Sequence, residues 1–218
     1  MRAVIFANGY LNHPQDAARL IQPDDLLIAA DGGARHCRNL GLIPDVVVGD
    51  MDSLGQDEVL ELEELGAEII TYPREKDFTD LELAFLRARE ADASEIIVLG
   101  GFGDRWDMTI SNLLLAARSE FSGISVRMVE GSQETGLIRG SGEMCFEGKR
   151  GDVFSLIPLS REAVGVTLTG LEYPLREASL PVGSTMGISN VFTHDSATVS
   201  VKEGLLLCVI THKKSDWG

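Results

Sequence analysis

Short, mostly apolar runs that end in Gly, Asn or Asp recur through the first part of the chain: Val4 to Ala7, Leu26 to Ala30, Val46 to Val48, Glu68 to Thr71, Ile96 to Leu99 and Ile124 to Val129. Runs this short with little alternation predict strands buried on both faces, as in a parallel sheet. Between them lie helical periodicities. Leu81, Ala84, Phe85 and Ala88 form an i, i+3, i+4, i+7 stripe, and so do Ile110, Leu113, Leu114 and Ala117. Each predicts an amphipathic helix with that stripe buried. Strand alternating with helix predicts a doubly wound α/β unit.

Beyond about residue 130 the texture changes. Gly-punctuated segments rich in Val, Thr, Ile and Leu follow one another, among them Asp152 to Ile157, Val164 to Thr169, Ala197 to Val201 and Leu205 to Thr211. Turn signals every ten residues or so, without a helical stripe, predict a small all-β sandwich. The expected organisation is therefore an α/β domain over residues 1–130 and a β-sandwich over 131–218. Lys213 to Gly218 read as a polar tail.

Composition narrows the function classes. The 218 residues are 44% hydrophobic and 24% charged, which fits a folded chain and not a disordered one. The net charge is −15, of which residues 1–130 hold 11 basic and 24 acidic side chains, or −13. That sign excludes a non-specific electrostatic grip on nucleic acid or anionic lipid and suits a metal ion or a cationic ligand. Three cysteines, Cys37, Cys145 and Cys208, show no CxxC spacing, so neither a disulfide framework nor a thiolate zinc site is indicated. A reducing cytoplasm is the expected compartment. The apolar stretch at the N-terminus is too short for a signal peptide, and no segment has the ~18 uninterrupted apolar residues that span a membrane.

Four constellations sit at predicted strand-to-helix junctions. In Asp31-Gly32-Gly33, the glycines could bring backbone N–H groups close to a phosphate, or Asp31 could simply cap a helix. In Gly49-Asp50-Met51-Asp52-Ser53, two carboxylates two residues apart can be turned toward one hard cation such as magnesium. An exposed acidic turn is the alternative. In Lys76-Asp77-Phe78-Thr79-Asp80, the Asp77 and Asp80 pair resembles a capping box, while Lys76 offers a point charge for phosphate. In Gly100-Gly101-Phe102-Gly103-Asp104-Arg105-Trp106-Asp107, Arg105 could clamp a phosphate, with Asp107 or Asn112 orienting it or binding nucleotide. A surface Arg-Asp pair is the plain alternative there.

All four lie on the carboxyl edge of the predicted sheet, where open α/β folds bind ligands. Aspartates converging on one edge repel one another unless a divalent cation sits among them. Other chemistries fare worse. Trp106 stands where a dinucleotide fingerprint needs its third glycine, and no Walker loop or GxSxG elbow exists. His13, His36, His194 and His212 are scattered without metal-ligand spacing.

The ordered set Asp31-Gly32-Gly33, Gly49-Asp50-Met51-Asp52-Ser53, Lys76-Asp77-Phe78-Thr79-Asp80 and Gly100 to Asp107 resembles the thiamine pyrophosphokinase family. The likeness continues through Ser155-Leu156-Ile157-Pro158, Gly170 to Leu175 and Gly187-Ile188-Ser189-Asn190. It implies an N-terminal domain binding ATP and magnesium, a C-terminal sandwich contributing to a thiamine pocket, and a homodimer with shared sites. By position, the resemblance implies that Asp50, Asp52 and Asp80 hold magnesium and the ATP phosphates. Asp31, Lys76, Asp77, Thr79, Gly101, Arg105, Asp107 and Asn112 would line the nucleotide region, with Asp77 or Asp80 taking the acceptor's proton. Ser189 and Asn190 would meet the thiamine pyrimidine, and Trp106, Tyr173 and Trp217 are candidates for stacking on its rings. Met108 stands where the family pattern has histidine, so no imidazole acts at that position. The same transfer to another hydroxymethyl acceptor, such as a pterin, or a non-catalytic nucleotide or thiamine sensor, remains an alternative.

Overall fold

The computed structural model describes residues 1–75 and 77–213, which form two compact units that divide between Gly131 and Ser132. In the first unit β1 (Arg2–Phe6), α1 (Pro14–Leu20), β2 (Leu26–Ala30), α2 (Ala34–Asn39), β3 (Val46–Gly49), α3 (Gln56–Glu64) and β4 (Glu68–Thr71) alternate. They are followed by α4 (Asp80–Glu90), β5 (Glu95–Leu99), α5 (Trp106–Leu115) and β6 (Ser125–Glu130). The strands pair in parallel in the order β6-β5-β1-β2-β3-β4. This is the α/β architecture that the strand-helix alternation predicts.

The uninterrupted apolar runs have a direct cause. Along β1, Ala3 and Ile5 belong to one core while Val4 and Phe6 belong to another. Ile28 and Ala30 likewise oppose Leu27 and Ala29, and Ile96 and Val98 oppose Ile97 and Leu99. A pleat turns alternate side chains to opposite faces, so a sheet covered on both sides needs apolar residues at every position.

On α4 the predicted stripe is buried in full: Leu81, Ala84, Phe85 and Ala88 pack in the core on one face of the sheet. The stripe expected on α5 is not. Ile110 and Leu114 are exposed, and Leu115 with Asn112 faces inward instead. The helix is rotated because Asn112, buried on that face, donates from Nδ2 to the Gly101 carbonyl at 2.8 Å and so satisfies its polar amide. Helix α4 is capped by Thr79, whose side chain accepts from the Glu82 backbone N–H, so the capping expected of Asp77 falls to its neighbour.

The second unit contains β7 (Gln133–Arg139), β8 (Gly142–Glu147), β9 (Val153–Pro158), β10 (Glu162–Thr169), β11 (Leu175–Pro181), β12 (Asn190–Val191), β13 (Ser196–Val201) and β14 (Leu205–Thr211). Two antiparallel arrays, β12-β9-β14-β7 and β11-β10-β13-β8, enclose one core. This is the expected sandwich. Edge-to-face contacts of Phe154 with Phe146 and Phe192, at 5.3 and 5.8 Å between ring centres, link its strands. Among the described residues no helix is long and apolar enough to cross a membrane.

Candidate active site

At the carboxyl edge of the parallel sheet lies an open cleft of about 730 Å³. It is built by the segments that follow β1, β2, β3, β4 and β5, together with one face of α5. Strand β1 is the switch point, with β2 on one side and β5 on the other, where connections diverge and leave a crevice. The loop after β1 is sewn to the loop after β5, since Gly9 N–H donates to Gly100 O at 2.8 Å and Tyr10 N–H donates to Phe102 O at 2.7 Å.

Asp31 opens a 3-10 turn (Asp31–Gly33) at the end of β2, in a left-handed conformation with φ of 46°. It is only 4% exposed, and its Oδ1 has no hydrogen-bond partner among the described residues. A buried carboxylate oxygen without a partner is costly and calls for a ligand. The adjoining glycines serve packing rather than phosphate approach. A Cβ on Gly33 would sit 1.9 Å from Phe6 O, and one on Gly32 would sit 2.5 Å from the Asn8 side chain. Neither glycine lines the cleft.

After β3, Met51 adopts a left-handed turn with φ of 60°. That turn lets Asp50 Oδ1 accept from Asp52 N–H at 3.1 Å and brings both carboxylates to the cleft. One carboxylate oxygen from each of Asp31, Asp50 and Asp52 lies within 4.8 Å of the others. Asp80, at the first position of α4, lines the same cleft. Gly49 leaves room for this gathering. A Cβ there would meet Asp31 Cβ at 2.9 Å and Asp80 Oδ1 at 3.2 Å, so any larger residue would push the two aspartates away. Asp80 is thus beside Asp31, while the tight group of three is completed by Asp31 and not by Asp80. The donor set is all carboxylate oxygen, which suits a hard cation such as magnesium. The unpartnered buried oxygen of Asp31, with carboxylate oxygens of Asp50 and Asp52 close by, fits such an ion.

Thr79, Gly101, Arg105 and Asn112 also line the cleft. Arg105 is held by a two-point contact to Asp107, from Nε to Oδ1 at 3.3 Å and from Nη2 to Oδ2 at 2.5 Å. This pairing raises the Arg105 pKa and holds the Asp107 carboxyl below its usual range. Asp107 itself is outside the cleft and orients Arg105. Asp77 is exposed and also outside it, and Lys76 and Trp217 lie outside the described residues. In the β unit, Asn190 is 4% exposed and fully engaged. Its Oδ1 accepts from Tyr173 and Val191 N–H groups and its Nδ2 donates to Tyr173 O, so the amide locks a turn onto β12. Ser189 is exposed with φ of 60°, and its N–H donates to Ser155 Oγ at 3.1 Å.

The cleft also contains residues not singled out by sequence: Asn8, Tyr10, Arg74, Asp104 and Thr109. The Tyr10 phenol bonds to Asp104, which raises its pKa. The available signal was Asn8-Gly9-Tyr10 directly after the first apolar run, on the same strand edge as the acidic loops. A second hollow, about 220 Å³ between α2 and α3, is lined by Leu42, Ile43, Leu54, Leu62 and Leu65 together with Arg35, Arg38, Glu58 and Glu61, whose charges are paired with one another.

The comparisons with known proteins divide the chain at nearly the same place. Residues 17–128 match the family model described as the thiamin pyrophosphokinase catalytic domain, and residues 145–206 match that of its vitamin B1 binding domain. The chain belongs to the thiamine pyrophosphokinase family. It is 31% identical to the thiamine pyrophosphokinase of Bacillus subtilis, with 94% of this chain and 96% of that protein covered. It is 27% identical to thiamine pyrophosphokinase 1 of rice over 94% of this chain and 85% of that protein. Among solved structures, the Bacillus subtilis thiamine pyrophosphokinase superposes with a TM-score of 0.87 at 28% identity, covering 98% of this chain and all of that one. The Geobacillus thermodenitrificans thiamin pyrophosphokinase gives 0.81 at 27% identity, with 99% of each chain covered. The chain is accordingly a transferase of the thiamine pyrophosphokinase family, and Asp31, Asp50, Asp52 and Asp80 of the cleft lie within the part that matches its catalytic domain.

Proposed function

We propose that this chain transfers a diphosphoryl group from ATP to the hydroxyl of thiamine, giving thiamine diphosphate and AMP. The observation that carries the reading is the convergence of Asp31, Asp50 and Asp52 in a cleft of the α/β unit, with an unpartnered buried oxygen among them. Asp31, Asp50 and Asp52 would hold a magnesium ion, with Asp80 next to them. When bound, magnesium neutralises phosphate charge and polarises the phosphoryl oxygens.

The chain's own groups do the positioning, which dominates phosphoryl transfer. Arg105, oriented by Asp107, faces the phosphates. Thr79, Gly101 and Asn112 shape the walls. The thiamine hydroxyl oxygen bonds to the β-phosphorus as the bond from that phosphorus to the α-β bridging oxygen breaks, and AMP leaves with that oxygen. The hydroxyl proton passes to a carboxylate and then to water. Asp80 lines the cleft and Asp77 does not, which favours Asp80 as the acceptor. The excess negative charge of the α/β unit draws in the cationic thiazolium.

The α/β domain would bind ATP and magnesium, and the β-sandwich would bind thiamine around Ser189, with Asn190 fixing the turn that presents it. A homodimer with shared sites is part of the same proposal. An exposed apolar row on α5, Trp106, Ile110 and Leu114, is surface that such an assembly would cover. Three free cysteines, two of them buried, accord with a reducing cytoplasm. Incubation with ATP, magnesium and thiamine should yield AMP and thiamine diphosphate in equal amounts. ADP as the sole nucleotide product refutes the reading, and turnover with a hydroxymethylpterin but not thiamine reassigns the acceptor.

A further inference from the structure

Two arginines line the acidic cleft, and they are held very differently. Arg105 is committed to Asp107 through two hydrogen bonds. Arg74 is 81% exposed in its side chain and reaches Asp52 Oδ2 at 3.7 Å, an ion pair without hydrogen-bond geometry. Asp52 is one of the three carboxylates whose oxygens converge. A divalent ion entering among them competes for the carboxylate that Arg74 faces.

We infer that Arg74 is an exchangeable clamp: its guanidinium neutralises Asp52 until a divalent ion takes that carboxylate, and then turns to the phosphates of the donor nucleotide. This rests on the metal and ATP reading of the cleft. The exchange makes physical sense in both directions. An exposed pair of this kind is weak and screened by solvent, so it yields to a metal without blocking it. A guanidinium matches phosphate oxygens as a two-point donor and binds them more strongly than it binds a screened carboxylate at this distance. The chain thereby links the two binding events, since the ion releases the clamp that the nucleotide needs.

The test titrates the full-length protein with Mn²⁺ alone by calorimetry and then measures KM for ATP and for thiamine in excess magnesium. In Arg74→Ala, Mn²⁺ alone should bind about two- to fivefold more tightly, because its competitor is gone. KM for ATP should rise about tenfold, from the lost charge-assisted contact, while KM for thiamine stays unchanged. Arg74→Lys should keep the wild-type Mn²⁺ affinity and an intermediate KM for ATP. A merely structural role would not tighten metal binding. Unchanged or weaker Mn²⁺ binding in Arg74→Ala, or an unchanged KM for ATP, overturns the exchange. Asp52→Ala separates this failure from failure of the underlying reading: it should lose Mn²⁺ binding, and full retention removes the metal site and the clamp together.

Discussion

Asp31 and Asp152 are equally hidden from water, at 4% and 1% exposure, and their surroundings are opposite. Asp152, in the β unit, accepts from the Lys149 and Lys213 N–H groups at 3.0 Å each and sits 2.7 Å from His212 Nδ1. Burial pushes its pKa up, but these backbone N–H groups and the imidazole outweigh burial and hold the carboxyl below its usual range. Asp31, in the α/β unit, has an oxygen with no partner and two further carboxylates close by. A satisfied buried charge closes a loop, joining the start of β9 to the segment after β14. An unsatisfied one is a defect of the isolated fold that a ligand offsets. The contrast separates an aspartate whose partners the fold supplies from one whose oxygen the fold leaves open, without reference to motif.

The largest effect that can break this contrast is on turnover. Asp50→Ala or Asp52→Ala should reduce kcat by about a thousandfold or more, roughly 4 kcal/mol, by removing a carboxylate from the proposed metal site. The melting temperature should stay near wild type, because both side chains are at least partly exposed. Next in size is Asp152→Ala, which strands two backbone N–H groups and should cost about 3 kcal/mol of stability in chemical denaturation. Turnover per folded molecule should not change.

Asp31→Asn should move the two properties in opposite directions. Removing the buried charge should stabilise the fold by about 1 kcal/mol, and asparagine tolerates the left-handed backbone there. Metal affinity should fall at the same time. A variant that loses stability and keeps its metal affinity would place Asp31 with Asp152. The smallest effect is on pH dependence. Because the folded-state pKa of Asp152 is lowered, its contribution is complete above the ordinary carboxylate value near 4 and is lost as the pH falls through the folded value. The stability gap between wild type and Asp152→Asn should therefore shrink as the pH falls below about 4.

Much of the cleft could be read from sequence because its groups stand at strand ends, where an apolar run stops and an aspartate or glycine follows. That placement identifies Asp31, Asp50, Asp52 and Asp80 before any coordinates. Asn8, Tyr10 and Arg74 escape the same reading. Their importance comes from the neighbours that strand order assigns them, and a run-by-run reading does not reveal that β1 lies between β2 and β5. The face of α5 is misread for a related reason. An apolar stripe counts methyl groups, whereas Asn112 is turned inward by one hydrogen bond to Gly101. The glycines at 32 and 33 show the converse: a phosphate-like signature there answers to crowding by Phe6 and Asn8. In the β unit, β7, β8, β11 and β12 are not among the segments that the sequence singles out, and β11 presents mostly exposed positions without regular alternation.

The most direct test is an anomalous-difference map from crystals of the full chain soaked in manganese chloride with ADP. The account predicts a Mn²⁺ peak within coordination distance of Asp31, Asp50 and Asp52, at the edge of β2 and β3. A peak elsewhere, or none at these three carboxylates, would contradict it.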